Sequence, residues 1–145
     1  ASTPDGFQKL FESLRPLVKG RLIAVFGSAG RRDEDKRAKQ GEIAARYADE
    51  IVLTEEDNRD EDGAHILDQI AEGVRREGKD EGSGLHIVAD REEAIGYAFA
   101  LTSGPDDMVV LLGKGHEKTI ERADGEHPWN EAEVARAALQ ALAQR

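Results

Sequence analysis

Four short apolar runs alternate with segments of helical periodicity along this chain, and this alternation constrains the fold more than any other feature. The runs occupy residues 21–27, 50–54, 85–89 and 108–113. None shows the period of two that is typical of half-exposed strands, so we expect strands that are buried on both faces. The pattern predicts an α/β, Rossmann-like fold: a mostly parallel twisted sheet with helices on both faces.

The segments between the runs carry helix-start signals. Thr3 and Pro4 are suited to the N-cap and the first helical position, and acidic residues open two later segments. We predict helices over residues 3–14, 41–48, 64–77, 90–101 and from 130 onward, and a surface loop over 78–84. In the last helix, Val134, Ala138 and Leu139 are expected to point inward.

Composition limits the classes of partner. The chain has 145 residues, which suits one domain, and 30 acidic against 20 basic residues give a net charge of −10. This charge disfavours binding to nucleic acid or to an anionic membrane. Without cysteine there is no disulfide framework, Cys-ligated zinc or thiol nucleophile, and no apolar run approaches the roughly 20 residues of a membrane span. We expect a cytoplasmic protein and, because the first residue is not Met, a processed protein or a piece of a longer one.

Charged, glycine-containing loops follow three of the four runs. GSAGRRDEDKR at 27–37 offers backbone amides and positive charge to an anion, although it is neither a Walker A loop nor a GxGxxG motif. The alternative interpretation is a solvated turn. GKGHE at 113–117 is either a plain glycine-rich turn or a wall of the same cleft.

The second loop, at residues 55–62, contains six acids together with Asn58 and Arg59. A lone arginine among acids is often a surface salt bridge. After a buried strand, however, its planar fork can hold a carboxylate while the acids favour an ammonium. Because parallel strands end at the same sheet edge, we expect residues 28–37, 55–62 and 113–117 to line one amino-acid pocket. His65, His86 and His127 lack metal-ligand spacing, so no metal site is predicted.

Taken together, these motifs resemble the C-terminal domain of Mur ligases, and within that family the ligases that add the third amino acid to UDP-N-acetylmuramoyl-dipeptide. TPDG at 3–6 is similar to the end of the family's DYAHTPD, and residues 27–37 to its GxxGDRDxxKR. EDNR at 56–59 is similar to DNPR, GKGHE is identical to the family motif, and residues 128–130 resemble PFxD. The order and spacing agree over nearly the whole chain.

The resemblance implies an ATP-dependent acid–amino-acid ligase of peptidoglycan biosynthesis. In this family ATP phosphorylates the substrate carboxylate, the incoming amine attacks the acyl phosphate, and phosphate leaves. ATP and Mg²⁺ are bound mainly by a central domain, so residues 1–145 would be the amino-acid-binding domain of a longer three-domain ligase and inactive alone. The partners implied are the amino acid, the UDP-N-acetylmuramoyl-peptide and that central domain.

Site residues follow by resemblance, and none of them is catalytic. Arg32 and Arg59 would hold the carboxylate of the incoming amino acid, and Gly113 and Glu117 the far end of a diamino acid. Asp57 and Asn58 belong to the same pocket. The residues that would support the loops or approach the nucleotide are Asp33, Lys36, Arg37, Lys114 and His116.

Departures from the family pattern leave the substrate open. Ser2 stands in place of His, Arg31 in place of the first Asp of GDRD, and Asp57 and Asn58 in place of Asn and Pro. The amino acid is therefore lysine, ornithine, diaminopimelate or another one. Two other functions remain: a Mur-like ligase with a different acyl acceptor, of the cyanophycin or folylpolyglutamate kind, or a free-standing Rossmann-like binding domain that pairs with a separate ATPase.

Overall fold

A computed structural model describes residues 3–31 and 34–144 of the chain. The helices are α1 (Pro4–Leu14), α2 (Asp35–Tyr47), α3 (Gly63–Arg76), α4 (Arg91–Ala100) and α5 (Glu131–Ala143). The strands are β1 (Leu22–Phe26), β2 (Glu50–Leu53), β3 (Asp80–Glu81), β4 (Gly84–Ile87), β5 (Met108–Leu111), β6 (Thr119–Arg122) and β7 (Gly125–Pro128). A single 3₁₀ turn spans Arg15–Leu17.

A five-stranded parallel sheet in the order β3-β4-β2-β1-β5 forms the centre of the fold. Side chains from alternate positions of β1 enter two different cores, one on each face of the sheet. On one face, Leu22, Ala24 and Phe26 pack with α1, α2 and α3. Ile23 and Val25 pack on the opposite face with α4. All five residues of β1 are buried, which explains why its sequence lacks a period of two. The predicted α/β class is confirmed.

Helix α1 begins where the sequence predicts. The hydroxyl of Thr3 accepts a hydrogen bond from the amide of Gly6 at 3.1 Å, which caps the first turn. Phe7 packs edge-on against Phe26, the last residue of β1, with ring centroids 5.1 Å apart. This contact brings the start of α1 to the carboxyl edge of the sheet.

Helix α2 begins at Asp35, six residues before the predicted start at residue 41. The sequence predicts a charged loop over residues 28–37, but Arg37 is fully buried and forms part of the helix. Helices α2 and α3 then approach closely at two glycines. A Cβ atom at Gly41 would lie 2.1 Å from the Ile70 carbonyl, and one at Gly73 would lie 1.8 Å from the Ala38 carbonyl.

Two other predictions need correction, and one element was missed. The predicted loop at 78–84 contains the two-residue strand β3, and an antiparallel hairpin, β6–β7, was not predicted at all. In α5, Leu139 is 48% exposed rather than inward, while Val134 and Ala138 are half-buried. The reason is that α5 packs along α4 at the side of the fold rather than on the sheet.

Within the described ranges, no helix has the length and apolar character needed to cross a membrane.

Candidate functional site

A cavity of about 590 Å³ lies where β1, β2 and β5 end. Residues from all three predicted loops line it, together with the start of α1, so the loops meet at one cleft as the topology predicts. Its lining comprises Thr3, Phe7, Phe26, Gly27, Ser28, Ala29, Lys36, Gln40, Glu56, Asp57, Arg59, Leu112, Gly113, Lys114, Gly115 and Glu117. Basic and acidic side chains are both present, which suits a ligand that carries both charges.

The loop after β1 packs against the loop after β2 through the backbone. The amide of Gly30 donates to the carbonyl of Asp57 at 2.7 Å. A Cβ atom at Gly27 or Gly30 would lie 2.0 Å from the carbonyl oxygen of Thr54 or Asn58. Glycine is therefore required for this close approach of the two loops.

Arg59 is held by strand β6 and by the loop after β1. Its Nε donates to Oε2 of Glu121 at 2.7 Å, and its Nη1 donates to the Gly30 carbonyl at 2.9 Å. These bonds use two of the five guanidinium N–H donors, so among the described residues three donors remain for a ligand. The side chain is 36% exposed, and the backbone has a left-handed φ of 54°. Such strained backbone in a non-glycine residue is frequent at functional sites.

Lys114, from the GKGHE motif, is fully buried rather than exposed. Its ammonium lies 2.9 Å from Oδ1 of Asp57 and 3.2 Å from Oε1 of Glu117. The same Asp57 oxygen also accepts the amide of Glu121 at 2.9 Å. Lys114 therefore joins the loop after β5 to the loop after β2 and fixes the position of Asp57.

Glu56 carries the most perturbed acidic group in the cavity wall. Burial raises the pKa of its carboxyl to about 7, against the opposing charges of Arg91 and Lys114, while the charges of Asp57 and Glu117 raise it further. Within the described part of the chain, no hydrogen bond satisfies this carboxyl. Gly113 lies against it: a Cβ atom there would be 2.4 Å from Oε2 of Glu56.

Arg37, on helix α2, supports the loop after β1 through hydrogen bonds. Its guanidinium donates to Glu61 at 2.7 and 3.0 Å, to Gln69 at 2.7 Å and to the Ala29 carbonyl at 3.1 Å. The hydrogen bonds from Arg37 and from the Arg31 amide lower the pKa of Glu61 to about 2. Glu61 is therefore ionised at neutral pH and balances the buried charge of Arg37.

A second buried ion network anchors the hairpin and α5 beside the cleft. Arg91 forms two bonds to Glu131 at 2.9 and 2.8 Å and one to the Glu55 carbonyl at 3.1 Å. Arg122 on β6 forms two bonds to the Glu55 carboxylate, both 2.8 Å long. Such paired contacts are specific in geometry as well as strong, so the hairpin has a fixed position relative to the end of β2.

Comparison with known proteins identifies the family. Residues 1–115 match the family profile described as "Mur ligase, glutamate ligase domain". The chain belongs to the Mur ligase family. Over 142 residues it is 50% identical to a UDP-N-acetylmuramyl-tripeptide synthetase of Roseiflexus sp. (strain RS-1), which covers 98% of this chain and 28% of that protein.

Two diaminopimelate-adding Mur ligases are also similar. A UDP-N-acetylmuramoyl-L-alanyl-D-glutamate--2,6-diaminopimelate ligase of Caldanaerobacter subterraneus is 38% identical over 139 residues, covering 96% of this chain and 28% of that protein. A solved structure of a ligase with the same name aligns with a TM-score of 0.82 at 33% identity, over 97% of this chain and 28% of its own. The chain thus spans just over a quarter of the length of these Mur ligases.

Most residues assigned by resemblance to the Mur ligase motifs lie at the cavity. Lys36, Asp57, Arg59, Gly113, Lys114 and Glu117 line it. Arg37 does not line the cavity but supports the loop after β1 through its bond to the Ala29 carbonyl. Arg32 and Asp33 lie outside the described residues. Asn58 does not line the cavity, although its backbone carbonyl contacts Gly30. His116 lines a separate cavity of about 170 Å³ next to Trp129.

The sequence did not single out two residues at this Mur ligase site, although the predicted pocket range 55–62 includes one of them, Glu56. Glu56 belongs to the acidic loop and to the EDNR motif, so its place after a buried strand was an available signal. Glu121 gave no such signal, because it belongs to the unpredicted hairpin and lies 62 positions from Arg59 in sequence.

One group of possible metal ligands is present in the described ranges: Glu34, Glu61 and His65. It does not suit a divalent cation, because Glu61 already pairs with Arg37, whose buried positive charge opposes a cation. His86 instead pairs with Glu50 at 2.6 Å, and His127 lies on strand β7.

Proposed function

We propose that this domain provides the amino-acid pocket of an ATP-dependent ligase that extends a UDP-N-acetylmuramoyl-peptide in cytoplasmic peptidoglycan biosynthesis. One observation carries the proposal: a single cavity presents an arginine with uncommitted donors and an acidic wall without hydrogen-bond partners in the described residues. Arg59 provides the first, and Glu56 beside Gly113 provides the second. A free amino acid with a cationic side chain has the complementary charges.

The role of the pocket is to bind and orient the incoming amino acid. Arg59 binds the carboxylate through a planar, charge-assisted contact, while Glu56 and Glu117 favour a side-chain ammonium. The α-amine is then presented to an acyl phosphate, and phosphate leaves as the amide bond forms. ATP supplies the phosphoryl group, and we assign ATP and Mg²⁺ to a central domain of the same ligase.

The names of the relatives support a peptidoglycan precursor as the acceptor, in preference to cyanophycin or folylpolyglutamate. They also support a ligase over a free-standing binding domain, since those proteins are more than three times as long as this chain. Lysine, ornithine and diaminopimelate all fit a pocket with an arginine and an acidic wall, so the substrate class is a diamino acid.

The test replaces Arg59 by Lys in the full-length ligase. Lysine keeps the charge but loses the planar two-point contact, so KM for the amino acid should rise about ten- to a hundredfold. KM for ATP should stay near its original value. Steady-state kinetics with each substrate varied in turn measures both.

Arg46→Lys is the matched control, because Arg46 is an exposed residue of α2 whose described ion pairs are to Glu42 and Glu77. It should leave both constants unchanged. Normal amino-acid kinetics in Arg59→Lys, with impaired use of ATP, would refute the role proposed for Arg59.

A further inference from the structure

We propose that Glu121 is a positioning residue for Arg59, which makes the β6–β7 hairpin part of the amino-acid site. The inference rests on the proposed function and extends it. Three contacts connect Glu121 to the loop after β2. Its carboxylate accepts from Nε of Arg59 at 2.7 Å, its carbonyl accepts from the Arg59 amide at 3.3 Å, and its amide donates to Asp57 at 2.9 Å.

The side-chain contact fixes the plane of the guanidinium. Nε is bound by Glu121 and Nη1 by the Gly30 carbonyl, so two bonds on two sides orient one rigid group. A free arginine side chain samples many rotamers, and much of this freedom would be lost when it binds a carboxylate. Because the bonds to Glu121 and Gly30 already restrict the side chain, the ligand binds a preorganised fork.

The backbone contact holds Arg59 in its strained conformation. With φ at 54°, Arg59 occupies the left-handed region that non-glycine residues rarely adopt. The hydrogen bond from its amide to the Glu121 carbonyl stabilises this conformation, which places the side chain at the cavity. The hairpin therefore controls both the backbone and the side chain of Arg59.

The hairpin itself is firmly attached, which a positioning element requires. Arg122, the residue after Glu121, forms its two 2.8 Å bonds with Glu55 at the end of β2. Glu121 and Arg122 thus hold the same loop at two points, residues 55 and 57–59. Glu121 does not line the cavity, so it acts through Arg59 and not on the ligand.

A double-mutant cycle in the full-length ligase tests the inference. Glu121→Ala should raise KM for the amino acid about fivefold to twentyfold, with kcat and KM for ATP unchanged. Glu121→Gln keeps an acceptor for Nε and should fall between the original enzyme and Glu121→Ala. The double variant Glu121→Ala/Arg59→Ala should have the same KM as Arg59→Ala alone, because Glu121 has no cationic side chain to orient once Arg59 is removed.

Glu126→Ala is the matched control. Glu126 faces Glu121 across the hairpin and is exposed, and no contact of its side chain is described. Glu126→Ala changes the net charge by the same amount as Glu121→Ala. It should leave KM for the amino acid unchanged. If Glu121→Ala does not fold, the cycle is performed with Glu121→Gln, for which the same comparison holds.

The outcomes separate this inference from the proposed function. A raised KM in Arg59→Lys, but none in Glu121→Ala or Glu121→Gln, would overturn the positioning role and leave the proposed function intact. Effects that add in the double variant would overturn it as well. A normal KM in Arg59→Lys would refute the pocket assignment itself, and the inference with it.

Discussion

The ammonium of Lys114 lies 2.9 Å from a carboxylate oxygen of Asp57, and the lysine side chain has no exposure to solvent. This pair joins the GKGHE motif to the loop after β2. An isolated buried charge is unfavourable, so the two groups depend on each other for compensation. The lysine of GKGHE is therefore a structural link within the cavity wall.

We expect Lys114→Met to lower the free energy of unfolding by about 3 to 5 kcal/mol, because Asp57 would lose its buried counterion. Urea denaturation followed by circular dichroism measures the change. Lys118→Met is the control: the same substitution at an exposed residue of the same loop should change stability by less than about 0.5 kcal/mol. Equal effects of the two substitutions would show that the buried pair does not stabilise the domain.

The course of the main chain through the sheet could be predicted from the sequence, because buried parallel strands leave a simple signal. Runs such as LIAVF are apolar on both faces, and Thr3 caps α1 as expected. The position of the cleft followed from topology alone, since parallel strands bring their carboxyl ends to one edge.

The contacts within the cleft could not be predicted in the same way. Arg37 and Lys114 are charged residues that the fold buries with partners far away in sequence, Glu61 and Asp57. A local pattern treats such residues as solvated, because it contains no information about a partner 24 or 57 positions away. Strand β6, with only Ile120 fully buried, offers too little apolar sequence to stand out.

A second prediction concerns the pH dependence of stability. The folded state raises the pKa of Glu56 from 4.5 to about 7, so it binds a proton more tightly than the unfolded state does. The stabilising contribution of the protonated carboxyl is complete below about pH 4.5 and is lost as the pH rises through 7. Glu56→Gln, which resembles the protonated form, should therefore match the original protein at pH 4.5.

At pH 8 the same variant should be more stable than the original protein, by on the order of 2 kcal/mol. Thermal or urea unfolding at both pH values gives the comparison. Glu126→Gln removes an acid at an exposed position and is the control for the change in net charge. A constant difference between Glu56→Gln and the original protein across this pH range would contradict the raised pKa.

The last prediction concerns the glycine that opens GKGHE. Gly113 has a φ of 106°, and a Cβ atom there would lie 2.4 Å from Oε2 of Glu56. Gly113→Ala therefore strains the backbone and displaces the Glu56 carboxyl from the cavity wall. We expect it to lower the free energy of unfolding by about 2 to 4 kcal/mol.

Gly115→Ala is the matched control, because Gly115 also has a positive φ, 51°, but a Cβ atom there would meet no heavy atom within 4 Å. It should lower the free energy of unfolding by only about 1 to 2 kcal/mol, the usual effect of a left-handed non-glycine residue.

The backbone strain at Gly113 and Gly115 is not identical, so a double-mutant cycle is needed to isolate the contact between residue 113 and the Glu56 carboxyl. In a Glu56→Ala background the effect of Gly113→Ala should fall towards that of Gly115→Ala, because the carboxyl that clashes with the new methyl group is gone. An effect of Gly113→Ala that is the same with and without the Glu56 carboxyl would mean that this carboxyl does not lie against Gly113, and Glu56 would no longer belong to the acidic wall of the pocket.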